Sequence, residues 1–222
     1  MPLGSDRALA ARLVDTAETG LEPGLLIALL RLLADGDPVP IGRFAQASGR
    51  TEDDVRQALA AVPDTEYDEH GRILGQGLTL RPTRHRFTVE GEHLYTWCAL
   101  DTLIFPRVLG MGASIESTSP TSGDPVRVAV AADGNLTSVE PASAIVSMVN
   151  PEDMTSIRSS FCSQIHFFTS QADARPWLDA HPGGEVITVD QAHHLGAGIA
   201  EALLAAGTAT STPAPNCCSP GH

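Results

Sequence analysis

No segment of this chain is long and apolar enough to span a bilayer. The most apolar run, Gly24–Ala34, is interrupted by Arg31 and falls short of the ~20 residues a membrane helix needs. No basic stretch followed by an apolar one opens the chain, so no secretory signal is read and a cytoplasmic location is expected. Basic residues are scarce: 14 Lys and Arg stand against 27 Asp and Glu, for a formal charge of −13. That balance disfavours approach to nucleic-acid phosphates, so neither nucleic acid nor membrane is an expected partner. Four cysteines are too few for a disulfide scaffold in 222 residues. HExxH, CxxC, GxSxG and P-loop patterns are absent, which removes the common zinc, hydrolase and nucleotide sites.

The length and a 42% hydrophobic content suit one large domain or two small ones with a real core. Periodicity and end signals predict helices over Arg7–Thr19, Leu25–Ala34, Ile41–Ala47 and Thr51–Val62, the last opened by Thr51 and Asp54 in a capping-box pattern. A hairpin follows, with Glu66–Asp68 and Arg72–Leu80 around His70–Gly71, then a strand at Arg84–Glu90. A helix is expected over His93–Phe105, closed by Pro106, and strands over Ala113–Val149. A helix capped by Asn150 runs to Ser160. A strand at Ile165–Thr169, a helix at Ser170–His181, a strand at Glu185–Val189 and a helix at Gln191–Ala206 complete the expected order. The expected class is α+β. A helical, winged-helix-like region spans 1–82, a mixed, mainly antiparallel sheet domain with flanking helices spans 83–207, and a flexible Cys-containing tail spans 208–222.

Three places carry candidate chemistry. In Tyr95-Thr96-Trp97-Cys98-Ala99-Leu100-Asp101, positions three apart share a helical face, which sets the Cys98 thiol beside the Asp101 carboxylate. That is a soft nucleophile next to a proton carrier; the same spacing also fits a helix that merely buries Trp97, Cys98 and Leu100. Cys162 lies where a helix hands over to a strand, and His166, alternating with phenylalanines, reads as structural. Cys217 and Cys218 are adjacent thiols able to chelate a soft ion, or an incidental feature of the tail.

The runs YTWCALDTLIFP and SFCSQIHFF resemble the two active-site segments of organomercurial (alkylmercury) lyases. The stretches TEYDEHGRILGQGLTL and VEPASAIVSMV are similar to theirs as well, so the resemblance spans roughly Glu22 to Glu201. It implies an enzyme of mercury detoxification. Cys98 and Cys162 would bind mercury as substrate and product, and Asp101 would serve as proton relay and weaker third ligand. It also implies an N-terminal region that does not read DNA, and no organic cofactor. Low-molecular-weight thiols, or mercuric reductase, would receive the ion. Serines stand at Ser119 and Ser163 where the family often has further cysteines, and the Cys217–Cys218 pair resembles the C-terminal pair of mercuric reductase.

The trio suits the reaction. Mercury(II) is soft and prefers thiolate, thiolate donation pushes electron density onto the bonded carbon, and a positioned acid protonates it. The expected sequence has Cys98 attacking first and Asp101 taking the proton of Cys162. Tyr95, Trp97 and Phe161 are candidates for an apolar pocket wall, a role that competes with core packing. Two rivals stand beside this reading: a winged-helix regulator sensing a thiophilic metal, and a mercury-sequestering protein without turnover. The regulator is disfavoured by Glu52, Asp53 and Asp54 on the helix that would face DNA.

Overall fold

The computed structural model describes residues 11–12, 21–150 and 156–209. Among these, the architecture is α+β with seven α-helices and two antiparallel sheets. The N-terminal unit begins with α1 (Pro23–Leu33), which carries proline in its first turn and buries Leu25, Leu29, Leu30 and Leu33. α2 (Ile41–Ser48) ends on Gly49 in the left-handed conformation that glycine adopts without penalty. α3 (Glu52–Ala60) opens with the full Thr51–Asp54 capping box. Its two nearby cations are already paired, Arg56 with Glu52 and Arg50 with Glu22.

The large sheet has eight strands in the order β1-β2-β3-β5-β4-β6-β7-β8. These are β1 (Glu66–Tyr67), β2 (Ile73–Gln76), β3 (Leu78–Thr79), β4 (His85–Val89), β5 (Glu92–Thr96), β6 (Ala113–Thr118), β7 (Pro125–Val130) and β8 (Leu136–Glu140). One sheet therefore runs across residue 82, because β3 pairs with β5 through Leu78↔Thr96 and Thr79↔Tyr95. Phe87, Leu94, Ile115 and Val128 face inward on β4–β7. Against them lie α4 (Ala99–Leu109) and, beyond it, α7 (Val189–Ala209). A smaller sheet, β10-β9-β11, comprises β9 (Ile145–Met148), β10 (Phe167–Phe168) and β11 (Glu185–Thr188). α5 (Ile157–Ser160) precedes β10 and α6 (Arg175–Ala180) precedes β11.

Several expected elements differ. Glu92–Thr96 is a strand rather than the start of a helix, since Leu94 and Thr96 alternate inward against β4. The helix begins at Ala99 and runs through Pro106 to Leu109. Proline removes one hydrogen bond there, which the burial of Phe105, Val108 and Leu109 around it offsets. Arg72–Leu80 is two strands, not one, because Gly77 turns the chain with φ +77°. Only Arg175–Ala180 of the expected Ser170–His181 helix is helical. The last helix continues to Ala209, past the expected end at Ala206: Gly207 packs so tightly on α1 that a Cβ there would meet Ile27 at 2.7 Å. The expected helix at Arg7–Thr19 falls mostly outside the described residues. Pro151 and Asp153, and Cys217 and Cys218, lie wholly outside them.

Candidate active site

The site forms where the large sheet hands the chain to α4. The Trp97 N–H donates to the Gly77 carbonyl at 2.8 Å, pinning the crossing to the β2–β3 turn. A Cβ at Gly77 would meet Phe105 at 2.8 Å, so glycine is what lets this turn sit against α4. Cys98, with extended backbone, is the N-cap of α4. Its Sγ accepts the Asp101 N–H at 3.4 Å, and Asp101 Oδ2 accepts the Cys98 N–H at 3.1 Å. This is a capping box with a thiol where a hydroxyl is usual. Cys98 and Asp101 are thus neighbours by reciprocal capping, not because both project from one helical face.

Cys162 opens a 3-10 turn, Cys162–Gln164, directly after α5. The Ala99 N–H donates to the Ile165 carbonyl at 3.1 Å, a backbone link that draws the two cysteine segments together. The result is a cluster of Cys98 Sγ, Cys162 Sγ and an Asp101 carboxylate oxygen, all within 4.8 Å of one another. Metal–thiolate bonds are about 2.3 Å for zinc, so two sulfurs on one ion stand up to about 4.6 Å apart. One soft ion can therefore meet both sulfurs. The cysteines are free thiols and buried, while Asp101 is only partly so.

The titration of the trio is set by burial. Burial pushes the Asp101 carboxyl up to about 7, against the lowering effect of its hydrogen bonds with Cys98. Burial also holds the Cys98 thiol well above its usual value, and its hydrogen bond to Cys162 and the Asp101 charge act in the same direction. For Cys162 the bond from Cys98 pulls down, but burial and the charges of Asp101 and Asp64 outweigh it; Arg158 also pulls down.

Trp97 and Phe161 are buried next to the two thiols in the same core cluster, and the Arg158 guanidinium lies over the Trp97 ring at 4.9 Å. The Trp97 indole N–H is buried without a hydrogen-bond partner. Directly opposed residues share a sheet face, and Tyr95 is opposed to Arg86, which is opposed to Glu116. Tyr95 is also opposed to the buried Thr79, so it stands half-buried on the face opposite to Leu94 and Thr96. His166 stacks on His85 at 6.0 Å between ring centres, and burial lowers it to about 4, so it is neutral and packed, in keeping with a structural role.

Sequence reasoning missed Asp64, Glu66 and Arg158. Ser156 and the Arg158 N–H bond to Asp64 at 2.8 and 3.0 Å, and Arg158 pairs with the buried Glu66. No spacing signature joins positions so far apart; a charged residue opening a short strand was the one clue.

A family profile described as alkylmercury lyase matches residues 78–201, and one described as the helix-turn-helix domain of alkylmercury lyase matches residues 5–77. The chain belongs to the alkylmercury lyase family. The alkylmercury lyase of Streptomyces lividans is 52% identical over 196 residues, 88% of each chain. That of Bacillus cereus is 49% identical over 168 residues, 76% of this chain and 77% of that one. The alkylmercury lyase of Pseudomonas putida is 45% identical over 180 residues, 81% of this chain and 84% of its own. The fold also matches a crystal structure of the mercury-bound form of MerB2, with a TM-score of 0.75 and 24% identity over 90% of this chain and 99% of that chain. Among the described residues, no helix of this alkylmercury lyase family member is long and apolar enough to cross a membrane.

Proposed function

We propose that the chain cleaves carbon–mercury bonds by protonolysis, with Cys98, Cys162 and Asp101 as its catalytic residues. The observation that carries this reading is the cluster of two thiols and one carboxylate within 4.8 Å, in a chain of this family. Cys162 is the better first thiolate, since burial and the Asp101 charge hold Cys98 well above its usual value, whereas Arg158 draws Cys162 down. This reverses the order expected from sequence. The Cys162 sulfur displaces the substrate's thiol from mercury; Cys98 then binds and gives its proton to Asp101, its capping partner. Asp101 delivers that proton to carbon. The carbon–mercury electron pair becomes the new carbon–hydrogen bond, the hydrocarbon leaves, and mercuric ion stays on two thiolates. A carboxyl near 7 is about half protonated at neutral pH, which is where a proton carrier works best; at its ordinary value it would be almost fully ionised. Trp97 and Phe161 supply apolar surface for the organic group.

In this reading the enzyme works in the reducing cytoplasm, where its thiols stay free. It needs no organic cofactor, and it passes mercuric ion to low-molecular-weight thiols or mercuric reductase. Headspace analysis tests it: the protein with phenylmercury and excess thiol should release benzene. Stoichiometric mercury binding without benzene would make it a sequestering protein instead.

Cys217 and Cys218 serve, in the same proposal, to carry product mercury outward. A tethered dithiol gains effective concentration in the millimolar range. A chain ending at Ala209 should cleave normally but release mercuric ion more slowly to an added acceptor. Equal release across acceptor concentrations would make the pair a spectator.

A further inference from the structure

The segment that carries Cys162 is held from outside its own sheet. α5 receives no side-chain cap from Ser156. Its first turn is capped instead by Asp64, which lies between α3 and β1. The Asp64 carboxylate accepts the Ser156 hydroxyl at 2.8 Å and the Arg158 N–H at 3.0 Å. The Arg158 guanidinium donates to Glu66 on β1, whose side chain is 5% exposed and which also accepts from Thr79 Oγ1. The same guanidinium covers the ring of Trp97, the residue before Cys98. On the far side of Cys162, Ser147 on β9 donates to the Gln164 carbonyl at 2.8 Å and accepts the His166 N–H at 2.8 Å. Cys162 therefore sits between two anchors, one in the helix-turn-helix unit and one in the small sheet.

Glu66 is buried but Arg158 is 40% exposed, and such a pair is a poor source of stability, because desolvation of the buried carboxylate consumes most of what the pairing contributes. What it supplies is direction. The Arg158 guanidinium is fixed by a carboxylate and by an aromatic face, and the Arg158 backbone by a third group. We propose that Asp64 and Glu66 are positioning residues for Cys162: by holding Ser156 and Arg158, the N-terminal unit sets where the second sulfur meets mercury. The inference rests on the lyase reading and gives the helix-turn-helix unit a task in it. Neither carboxylate touches substrate; both act through Arg158 and the turn that follows it.

The test separates placement from folding. Glu66→Gln alone leaves Arg158 short of its counter-charge, so the informative variant is the double Glu66→Gln/Arg158→Met. It removes the ion pair, keeps an acceptor for the buried Thr79 hydroxyl and should melt near the parent. Benzene release from phenylmercury should fall ~10-fold or more in kcat with a smaller change in KM, the scale of an ångström-level misplacement. Iodoacetamide labelling, read by mass spectrometry, should shift toward Cys162 relative to Cys98 as the turn loosens. Asp64→Ala should act in the same direction, and Asp64→Asn, which keeps an acceptor for Ser156 and Arg158, should recover most of the loss. A folded double variant with parental kcat and parental labelling ratio overturns the proposal. If the double variant does not fold, the Asp64 pair decides, and equal behaviour of Ala and Asn overturns it. A parent that releases no benzene refutes the lyase reading alone, since the labelling ratio still reports on placement.

Discussion

Replacing either buried cysteine with alanine is expected to abolish hydrocarbon release, by ~10³-fold or more, as for groups that act as one catalytic unit. Each thiol supplies one of the two sulfurs that load mercury with electron density, and no other cysteine among the described residues stands near to replace it. The fold should survive. Cys162→Ala removes a single small side chain from a turn otherwise held by backbone bonds and by the Asp64 and Ser147 side chains. Cys98→Ala also deletes the N-cap of α4, a loss of about 1 kcal/mol. Cys98→Ser isolates the chemistry from the cap, because its oxygen can accept the Asp101 N–H as sulfur does, yet it has no comparable affinity for mercury. It should melt near the parent and remain inactive. Benzene release within a few-fold of the parent by any of the three would remove that cysteine from the mechanism.

Asp101→Asn should separate binding from cleavage. The amide oxygen can still accept the Cys98 N–H, so the thiols keep their places and mercuric ion should still bind. Proton delivery is lost, and cleavage should fall by ~100-fold or more. The same variant has a signature in stability. The folded-state carboxyl is raised to about 7 from an ordinary 3.8, so folding disfavours its charged form. A raised value stabilises the fold fully below about pH 4, and that contribution is lost as pH rises through 7. The parent therefore carries a penalty at pH 8 that the asparagine variant lacks, about 4 kcal/mol from the size of the shift. Melting curves should show the variant gaining on the parent between pH 5 and pH 8. A gap that stays constant, or narrows, would mean that Asp101 is not buried as a strained acid.

The helices that punctuate the N-terminal unit were legible because their signals are local: Gly49 after α2, Thr51 and Asp54 opening α3. β5 was not, since Glu92–Thr96 is short, and its alternation gains meaning only once β4 lies beside it. Pro106 misled as a terminator, because tertiary burial of α4 outweighs one missing hydrogen bond. The pairing of Cys98 with Asp101 was legible from spacing, though the capping box that produces it was not. The approach of Cys162 rests on the Ala99–Ile165 link between distant segments, which no local pattern encodes. Asp64, Glu66 and Arg158 stayed hidden for the same reason.

The continuity of the large sheet bears on how the protein can be dissected. The two family profiles meet between Gly77 and Leu78, in the turn joining β2 to β3. A cut there divides a hairpin, and a cut at residue 82 strips β5 of the neighbour that β3 provides. Either excision leaves a catalytic fragment with a bare strand edge, the template for edge-to-edge aggregation. It also removes Gly77, Asp64 and Glu66, the partners of Trp97 and Arg158. The larger fragment made alone should collect in inclusion bodies, and the two pieces expressed together should find each other through the severed strand pairing. Chimeras that exchange the first 77 residues between relatives must therefore match the β2–β3 seam, not merely the length of the insert.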